Sequence, residues 1–415
     1  MAIPIEACRV CGQKGLEPVL SLGDLPPVNS FLSGPADIAA EKKHPLAIAF
    51  CGGCSHVQLT HMLDPKDIFT DYIYFSSMSE TIVRWGKELA ARYAKEIGLQ
   101  KNELVAELAS NDGCILKPFL AHCRILGVEP AKNIAEVANK DGVPTVAEFF
   151  DLKLGKKLRA EHGGARLVIA RNVLAHVPAC VDFVAGVREW LADDGIFHVE
   201  APYAGPMVEH LEFDTIYHEH LSYFSVHALD RLFKEAGLVL WDVEEIPLHG
   251  GSLIARGKRA GAVSTANVAR YLAQEKANGL TTIAPWKKFA DGTRRLKERL
   301  PAALKELKAS GKTIAAYGAA AKGVVLTNYC DLGPDLLPWV ADRSPYKQGK
   351  LTPGKHLKVV GPEVVLQQRP DVLLVLAWNF YDEIRRQLDG YAKAGGKFML
   401  PVPEPRIDEA WKGVA

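Results

Sequence analysis

The chain has 415 residues, of which 48% are hydrophobic and 24% are charged, as in ordinary folded proteins of two or three domains. Its net charge of +1 gives no strong general attraction to nucleic acid. No apolar run approaches the roughly 20 residues that span a bilayer, and the N-terminus lacks the pattern of a secretion signal. We therefore expect a cytoplasmic protein with no nucleic-acid partner and no membrane partner.

Residues 1–65 consist of short segments broken by Gly and Pro, with a Cys-x-x-Cys pair near each end. Cys8 and Cys11 form the first pair, and Cys51 and Cys54 form the second. Four thiolates can surround one tetrahedral zinc ion, and no open catalytic position is evident. Glycines suited to tight turns accompany the pairs: Gly12, Gly52 and Gly53. The pattern predicts a small structural zinc domain; the alternative is two independent turns with buried cysteines.

Residues 66–260 begin with helical periodicity over 79–97 and continue as alternating strands and helices. The strands are predicted at 103–109, 124–129, 165–170 and 195–200. This alternation predicts a parallel, doubly wound α/β sheet.

The first of these strands contains Glu107 and runs into a polar turn without the Gly-x-Gly-x-x-Gly of a dinucleotide site. The turn residues are candidate cofactor contacts: Ser110, Asn111, Asp112 and Gly113. The next strand ends at Glu129, whose carboxylate could accept hydrogen bonds from two ribose hydroxyls, or could only cap the following helix. The arrangement resembles class I S-adenosylmethionine-dependent methyltransferases.

Two histidine-bearing segments follow. Asn172-Val-Leu-Ala-His176 comes after the third strand, at the sheet edge where ligands bind in open α/β folds, although such a histidine can also serve only local hydrogen bonding. Tyr217-His-Glu219-His220 places a histidine beside a tyrosine, a combination that can remove a proton next to a carbonyl and hold the enolate. A metal site or an ordinary polar loop could also have this composition.

Residues 261–415 form a second unit. Its charged stretch over 268–308 predicts one or two long helices, broken at Pro285 and Pro301. Strands are predicted after it at 312–317, 337–341, 372–376 and 397–400, which indicates a second, Rossmann-like α/β domain.

The two cysteine pairs, the 110–113 turn, the 172–178 and 217–225 segments, His249-Gly-Gly-Ser252 and Tyr317-Gly-Ala-Ala-Ala-Lys-Gly323 together resemble the sugar C-methyltransferases. These enzymes act on nucleotide-linked 4-keto-deoxysugars. The resemblance covers nearly the whole chain. It implies a zinc domain, a class I methyltransferase domain that binds S-adenosylmethionine, and a C-terminal Rossmann-like domain that helps to bind the sugar nucleotide. We expect a monomer or a weak homodimer.

The resemblance also implies residue roles. His220 would remove the proton at C3, Tyr217 would stabilise the enolate oxygen, and Glu219 would orient the sugar and His220. His176 matches the family's active-site histidine, and Tyr72 or Tyr74 would enter the site. Cofactor contacts would include Glu107, Glu129 and Asn172. Substrate contacts would come mainly from the C-terminal domain: Tyr317, Lys322, Asn328, Asp342 and, from the preceding domain, His249. Lys322 lies at a predicted helix start, a position that suits a phosphate, but it could also be a solvent-exposed lysine.

The sequence departs from the family pattern in three places. Ala109 replaces a usual glycine, which concerns the cofactor turn, and Ala320 replaces a frequent proline. His249-Gly-Gly-Ser-Leu-Ile254 lacks an arginine common after Ser-Leu, which concerns the identity of the sugar. Two other functions compete: an RNA or protein methyltransferase that uses the zinc domain for recognition, and a redox or non-enzymatic Rossmann protein.

Overall fold

The structure is a computed structural model that describes residues 2–69, 75–246 and 251–408. Among these residues no helix is both long and apolar enough to cross a membrane. The strands are β1 (Ile3–Pro4), β2 (Glu17–Leu25), β3 (His44–Phe50), β4 (Val57–Leu59), β5 (His61–Met62), β6 (Leu104–Leu108), β7 (Arg124–Val128), β8 (Thr145–Val146), β9 (Ala165–Arg171), β10 (Leu191–Pro202), β11 (Ser222–Tyr223), β12 (Leu238–Ile246), β13 (Ser252–Arg259), β14 (Ile314–Tyr317), β15 (Trp339–Ala341), β16 (Lys358–Val360), β17 (Val372–Val375), β18 (Lys397–Leu400) and β19 (Arg406–Ile407).

The helices connect these strands and cover their sheets. They are α1 (Pro35–Ala40), α2 (Pro65–Phe69), α3 (Glu80–Glu96), α4 (Lys132–Lys140), α5 (Leu152–His162), α6 (Cys180–Trp190), α7 (Ala204–Glu209), α8 (Val226–Glu235), α9 (Ala266–Ala277), α10 (Ala284–Ala309), α11 (Ala321–Tyr329), α12 (Glu363–Gln368), α13 (Tyr381–Gln387) and α14 (Asp389–Lys393). Short 3-10 segments lie at Ser76–Met78, Lys117–Ala121, Leu174–His176, Phe213–Thr215 and Trp378–Phe380.

The cysteine-rich region forms an antiparallel sheet with the order β11-β4-β3-β2. Its apolar side chains, such as Ile48 and Leu59, are buried. The edge strand β11 comes from the segment that carries Tyr217 and His220. The sheet that supports the cysteine pairs is therefore completed by a strand from the candidate active site.

The central sheet has seven strands in the order β12-β13-β10-β9-β6-β7-β8. The five strands from β10 to β8 are parallel. This confirms the parallel sheet that the sequence predicts, since β6, β7 and β9 are short, mostly buried apolar runs. The antiparallel hairpin β12–β13 was not predicted. It carries charged residues that pair within the sheet, with Arg256 contacting Asp242 at 3.1 Å and Glu244 at 2.9 Å.

The C-terminal sheet has the order β16-β15-β14-β17-β18-β19, parallel except for β19. Strand β14 lies between β15 and β17, so the strand order reverses at β14 and β17. In open α/β sheets a crevice for ligands lies at the carboxyl ends of such strands. The loops after β14 and β17 therefore lie where open α/β sheets generally bind ligands.

Helix α10 corrects one sequence prediction. Pro285 occupies the first turn, as expected for a break before it, but the helix continues through Pro301. A proline inside a helix removes one backbone hydrogen bond and crowds the preceding turn. The apolar face of α10, which includes Leu296, Leu300 and Leu304, is buried and holds the helix together across this point.

The cysteine-rich sheet and the C-terminal domain share one hydrophobic core. Ile48 of β3 and Leu300 of α10 belong to the same cluster of buried side chains. A backbone bridge joins Leu32 to Leu351, and Glu41 accepts a hydrogen bond of 2.7 Å from the Gly354 N–H. Both outer regions thus pack directly against each other beside the central sheet.

Candidate active site

The four paired cysteines converge on one point. Their sulfur atoms all lie within 4.8 Å of one another, with Cys8 and Cys54 3.5 Å apart and Cys11 and Cys51 3.6 Å apart. Zinc–sulfur bonds of about 2.3 Å in a tetrahedron would place sulfurs about 3.8 Å apart. A hydrogen bond with Cys54 lowers the pKa of the Cys8 thiol to about 5, which favours the thiolate. The donor set therefore fits a zinc ion that holds the two pairs together.

Each cysteine pair ends in a left-handed residue. In the first, Gly12 has φ 73° and donates its N–H to the Cys8 carbonyl at 2.9 Å. In the second, Ser55 has φ 60° and donates to the Cys51 carbonyl at 2.8 Å. The turn role expected of Gly52 and Gly53 is thus taken by Ser55, one residue after the pair.

The turn after β6 lies beside the ends of β7 and β9, at the carboxyl edge of the central sheet. Ala109 and Asn111 have φ 52° and 51°, and Gly113 has φ 75°. Ala109 therefore occupies the left-handed conformation that a glycine adopts at lower cost, which is a physical reason for the glycine expected there from the family pattern.

Residues 76 and 77 contact this turn. The Ser76 N–H donates to the Asn111 side-chain oxygen at 2.8 Å, and the Ser77 N–H donates to Asp112 at 3.0 Å. Ser110 is buried against Gly127, where a Cβ atom would lie 2.5 Å from its hydroxyl oxygen. The predicted cofactor turn is thus anchored by both its neighbouring strand and the chain before α3.

Glu129 holds the same turn from the end of β7. Its carboxylate accepts hydrogen bonds of 2.9 Å from the N–H groups of Asn111 and Ala131, and burial raises its pKa. Ala131 immediately precedes α4, so the carboxylate also caps that helix start. One oxygen of Glu129 thus faces the turn and the other faces the helix start, while its contact with ribose hydroxyls stays a prediction. Asn172, with φ 49°, ends β9 at the same sheet edge.

A buried polar network beneath this edge was missed by sequence reasoning. Arg171 pairs with Glu200 at 2.7 Å, and Trp85 donates to the other Glu200 oxygen at 2.8 Å. Glu107 is buried beside this pair, and burial raises the pKa of its carboxyl to about 8 although the charge of Arg171 opposes the shift. The signal available in the sequence was a charged residue at the end of each of two adjoining buried strands.

His220 and Tyr217 meet as the sequence predicts. The Tyr217 hydroxyl lies 2.7 Å from His220 Nε2, and His220 Nδ1 lies 2.9 Å from the Thr215 carbonyl oxygen. His220 is 9% exposed, so the imidazole is shielded but reachable. Thr215 was not predicted and supplies the partner that orients the ring.

His176 lies against His220. Their ring centroids are 4.8 Å apart with an interplanar angle of 81°, and burial lowers the pKa of His176 to about 4. The contact follows from the backbone, because the Leu221 N–H donates to the Ala175 carbonyl at 2.7 Å. The two histidine-bearing segments therefore form one site at the carboxyl edge of β9.

Glu219 is held by the cysteine-rich region. Its carboxylate accepts a hydrogen bond of 2.7 Å from the Asn29 side chain, and burial raises its pKa to about 7 although the Asn29 bond opposes the shift. Asn29 was missed, since it lies in a loop with no periodic pattern. His218 turns away and contacts the His44 carbonyl at 3.2 Å, which further joins the segment to β3.

Lys322 reaches the same segment from the C-terminal domain. Its ammonium lies 3.2 Å from Glu212 and 3.9 Å from Asp214, and 4.6 Å from the centre of the Trp378 ring. Trp378 donates to Asp214 at 2.7 Å. Lys322 is thus a half-buried residue at the crevice of β14 and β17, facing the chain just before Tyr217, and not a solvated lysine.

The other predicted substrate contacts are divided. Tyr317 ends β14 with its hydroxyl 3.3 Å from Gln387, and Asp342 follows β15 at the same edge, where it accepts the Ser344 N–H at 2.9 Å. Asn328 lies further along α11 and donates to the carbonyls of Val324 and Pro353 at 2.8 and 2.9 Å. Its amide therefore holds the loop after β15 in place. Tyr72, Tyr74 and His249 lie outside the described residues.

Three family models match the chain: one described as a zinc binding domain over residues 8–69, a methyltransferase domain over 55–243 and a C-methyltransferase C-terminal domain over 247–403. A relative, the C-methyltransferase NovU of Streptomyces niveus, is 37% identical over 98% of this chain and 98% of its own length. The chain belongs to the C-methyltransferase family. The predicted family is thereby confirmed for the whole chain.

Solved structures resemble part of this C-methyltransferase. Magnesium protoporphyrin IX methyltransferase from Synechocystis PCC 6803, with bound S-adenosylmethionine, is 11% identical over 46% of this chain and 86% of its own, with a TM-score of 0.34. The CcbJ methyltransferase from Streptomyces caelestis is 18% identical over 42% of this chain and 90% of its own, with a TM-score of 0.33.

These findings establish several predictions. The C-methyltransferase is an enzyme with a class I methyltransferase fold that uses S-adenosylmethionine as methyl donor. Its zinc-binding domain holds the four paired cysteines that would bind the ion: Cys8, Cys11, Cys51 and Cys54. They are the one group among the described residues that could hold a metal with three or more His, Cys, Asp or Glu ligands. Among the described residues no such group includes Tyr217, His218, Glu219 or His220, so the interpretation of this segment as a metal site is not supported.

Proposed function

We propose that this C-methyltransferase transfers the methyl group to the carbon next to the ketone of a nucleotide-linked keto-deoxysugar, at C3 of a 4-keto sugar. His220 would act as the base and Tyr217 as the donor to the enolate oxygen. The observation that carries the proposal is the contact of 2.7 Å between the Tyr217 hydroxyl and His220 Nε2, with Nδ1 of the same ring 2.9 Å from a carbonyl.

The carbonyl contact defines the proton position on His220. A carbonyl oxygen only accepts hydrogen bonds, so we assign the proton of the neutral ring to Nδ1. Nε2 then keeps its lone pair on the side of Tyr217. This is the tautomer that a histidine needs in order to remove a proton from carbon.

Tyr217 supplies what the base lacks. A ketone acidifies the neighbouring C–H group, but the enolate oxygen needs a hydrogen-bond donor before a neutral imidazole can remove the proton. The Tyr217 hydroxyl lies 2.7 Å from His220 Nε2, close enough to donate to a ketone oxygen bound beside the base. Bound S-adenosylmethionine supplies an electrophilic methyl group on its sulfonium. The 110–113 turn would hold that group near the substrate carbon, and His176, whose ring centroid lies 4.8 Å from that of His220, would be a further active-site residue.

The position of the C-terminal crevice supports the proposal that the sugar is bound through an attached nucleotide. The loops after β14 and β17 face the segment that leads into Tyr217, through the contacts of Lys322 and Trp378 with Asp214. An ammonium has three donors, and the Glu212 contact at 3.2 Å uses one of them. Lys322, with Tyr317 and Asp342 at the same edge, is therefore a proposed contact for the diphosphate and nucleoside.

The test incubates the enzyme with S-adenosylmethionine and a panel of keto-sugar nucleotides, and follows the product mass and deuterium uptake from heavy water. We expect one substrate to gain one methyl group and to exchange the proton at the methylated carbon. Tyr217→Phe should lower kcat by about 10²–10³-fold with little change in KM. His220→Asn should lower both methylation and exchange by about 10²–10⁴-fold.

His162→Asn on the surface end of α5 serves as a matched control and should retain wild-type rates. Full activity of His220→Asn would show that another group is the base. If no keto-sugar nucleotide gains a methyl group or exchanges a proton while S-adenosylmethionine still binds, the substrate class is wrong.

A further inference from the structure

The first cysteine pair contacts the strand that supports the His220 segment. Arg9 lies between Cys8 and Cys11, and its backbone N–H donates to the Gln58 side-chain oxygen at 2.8 Å. The Gln58 amide nitrogen donates back to the Ala7 carbonyl at 3.1 Å. Gln58 is fully buried in β4, so this double contact fixes the chain around Cys8 to the middle of the sheet.

Strand β4 in turn holds the backbone next to His220. Gln58 pairs with Ser222 of β11, and the Leu59 N–H donates to the Leu221 carbonyl at 3.0 Å. Leu221 directly follows His220. The position of His220 therefore depends on the strand that begins three residues after Cys54.

The side chain of Arg9 reaches the other histidine segment. Its guanidinium donates to the Pro178 carbonyl at 2.6 Å, two residues after His176. The Cys180 thiol donates to the Arg9 carbonyl at 3.3 Å, at the first residue of α6. Arg9 is thus bonded to the His176 loop by its side chain and to the start of α6, directly after this loop, by its backbone.

These contacts link Arg9 to both histidine-bearing segments, which also contact each other. From Arg9 one branch runs through Gln58 and β4 to Leu221, and the other runs through Pro178 to the His176 loop. The branches meet where the Leu221 N–H donates to the Ala175 carbonyl at 2.7 Å. Because these hydrogen bonds join parts of the chain that are distant in sequence, a shift of Arg9 would change how the two imidazoles face each other.

We propose that Arg9 is a positioning residue that couples zinc binding to the placement of His176 against His220. Bound zinc would tie Cys8 and Cys11 on either side of Arg9 to Cys51 and Cys54, and so fix the direction of its guanidinium. The cysteine cluster would then organise the active site as well as stabilise its own domain. The catalytic part of this inference rests on the proposed function; the positional part does not.

Hydrogen–deuterium exchange with mass spectrometry tests the positional part without a substrate. The probes are the amides of the loop and its partner, which are hydrogen-bonded in the structure: His176 to Val173 at 2.8 Å and Leu221 to Ala175 at 2.7 Å. Arg9→Ala, with its zinc content measured, should exchange these amides at least about tenfold faster than wild type while β6 and β7 keep their protection. Removal of zinc from wild type with a chelator should give the same local pattern.

Two further variants complete the design. Arg9→Lys keeps one donor that can reach the Pro178 carbonyl and should recover most of the protection. Arg84→Ala, at a side chain on α3 that is 70% exposed, is the matched control and should leave the exchange unchanged. The proposal would be overturned if zinc-loaded Arg9→Ala kept wild-type protection. It would also be overturned if, in both Arg9→Ala and Arg9→Lys, the loop and the whole central sheet exchanged faster to the same extent.

The kinetic readout separates this inference from the proposed function. With a keto-sugar nucleotide that turns over, Arg9→Ala should lower kcat more than it raises KM, and Arg9→Lys should restore part of kcat. If no such substrate is methylated by wild type, the proposed function fails while the exchange experiment still decides the role of Arg9. Unchanged kcat in an Arg9→Ala enzyme with a loosened loop would refute the coupling to catalysis.

Discussion

Glu107 is an acid in a place that favours its neutral form. It is 3% exposed within β6, and its Oε2 atom has no hydrogen-bond partner among the described residues. Burial raises its pKa to about 8, Arg171 lowers it, and the negative charges of Glu200, Asp112 and Glu129 raise it further. Without cofactor, the carboxyl therefore holds a proton near neutral pH.

This shift predicts a pH dependence of stability for the cofactor-free enzyme. Below about pH 4.5 Glu107 is protonated in both the folded and the unfolded chain, so it makes no difference there. Between about 4.5 and 8 only the unfolded chain releases the proton, and the free energy of unfolding falls by up to about 1.4 kcal/mol per pH unit. Glu107→Gln should therefore gain stability relative to wild type as pH rises from 5 to 8, and change little beyond 9.

Thermal unfolding of both proteins between pH 5 and pH 9 checks this expectation. A matched substitution, Glu161→Gln on the surface of α5, should give a difference from wild type that does not grow with pH. A constant difference for Glu107→Gln across the same range would show that Glu107 ionises normally in the folded enzyme.

At the scale of elements, α10 carries a proline that its packing tolerates. Pro301 removes the N–H that would donate to the Lys297 carbonyl, one turn before it. Pro301→Ala should restore this bond and raise the free energy of unfolding by about 1–3 kcal/mol. Pro285→Ala, in the first turn where proline fits, should bring no gain. Denaturant unfolding of the two variants compares them directly, and equal effects would show that Pro301 costs nothing in this helix.

The elements that the sequence predicted are those whose local pattern matches their final environment. The parallel strands are short apolar runs buried on both faces, so β6, β9 and β17 could be located closely. The hairpin β12–β13 could not, because Asp242 and Arg256 read as solvent-exposed charges until their pairing across the sheet is known. The predicted helix break at Pro301 was wrong for the opposite reason. Here tertiary packing outweighed the strong local tendency of proline to end a helix.

The same distinction applies to the site. His220, Tyr217 and Thr215 lie within six residues of one another, and the tyrosine–histidine contact was predicted from that spacing. Asn29 could not be predicted, because it reaches Glu219 across 190 positions of the chain. The contacts of Arg9 could not be predicted for the same reason, although Arg9 lies within the Cys8–Cys11 pair, whose zinc-binding pattern is clear from the sequence. Partners that are distant in the chain leave no local signal.

At the scale of the molecule, the C-terminal domain is joined to the active site by a charged contact. Asp214 is fully buried, and burial raises its pKa to about 6 although Lys322 lowers it. Lys322→Met would leave Asp214 and Glu212 without their cation and should cost about 3–5 kcal/mol at pH 8. The cost should be smaller at pH 5, where Asp214 takes up a proton.

A double-mutant cycle measures this contact. Asp214→Asn combined with Lys322→Met should be less destabilising than the sum of the single changes, with a coupling of about 1–3 kcal/mol in urea unfolding. Lys312→Met with Asp371→Asn is the comparison pair, because its ion pair of 3.1 Å is exposed and should couple far more weakly. Strict additivity at the Asp214–Lys322 pair would mean that this ion pair does not contribute to holding the two domains together.

The edge strand β11 comes from the active-site segment but pairs with the cysteine-rich sheet, which has a consequence for recombining this enzyme with its relatives. A chimera that exchanges residues 1–65 as a cassette would pair a foreign β4 with the native β11, and would place a foreign residue opposite Glu219 where Asn29 now donates. Exchange of the C-terminal domain would likewise separate Lys322 from Glu212. Productive crossovers should therefore carry residues 209–225 together with both outer domains. The part to be exchanged is a set of three separated segments and not one domain.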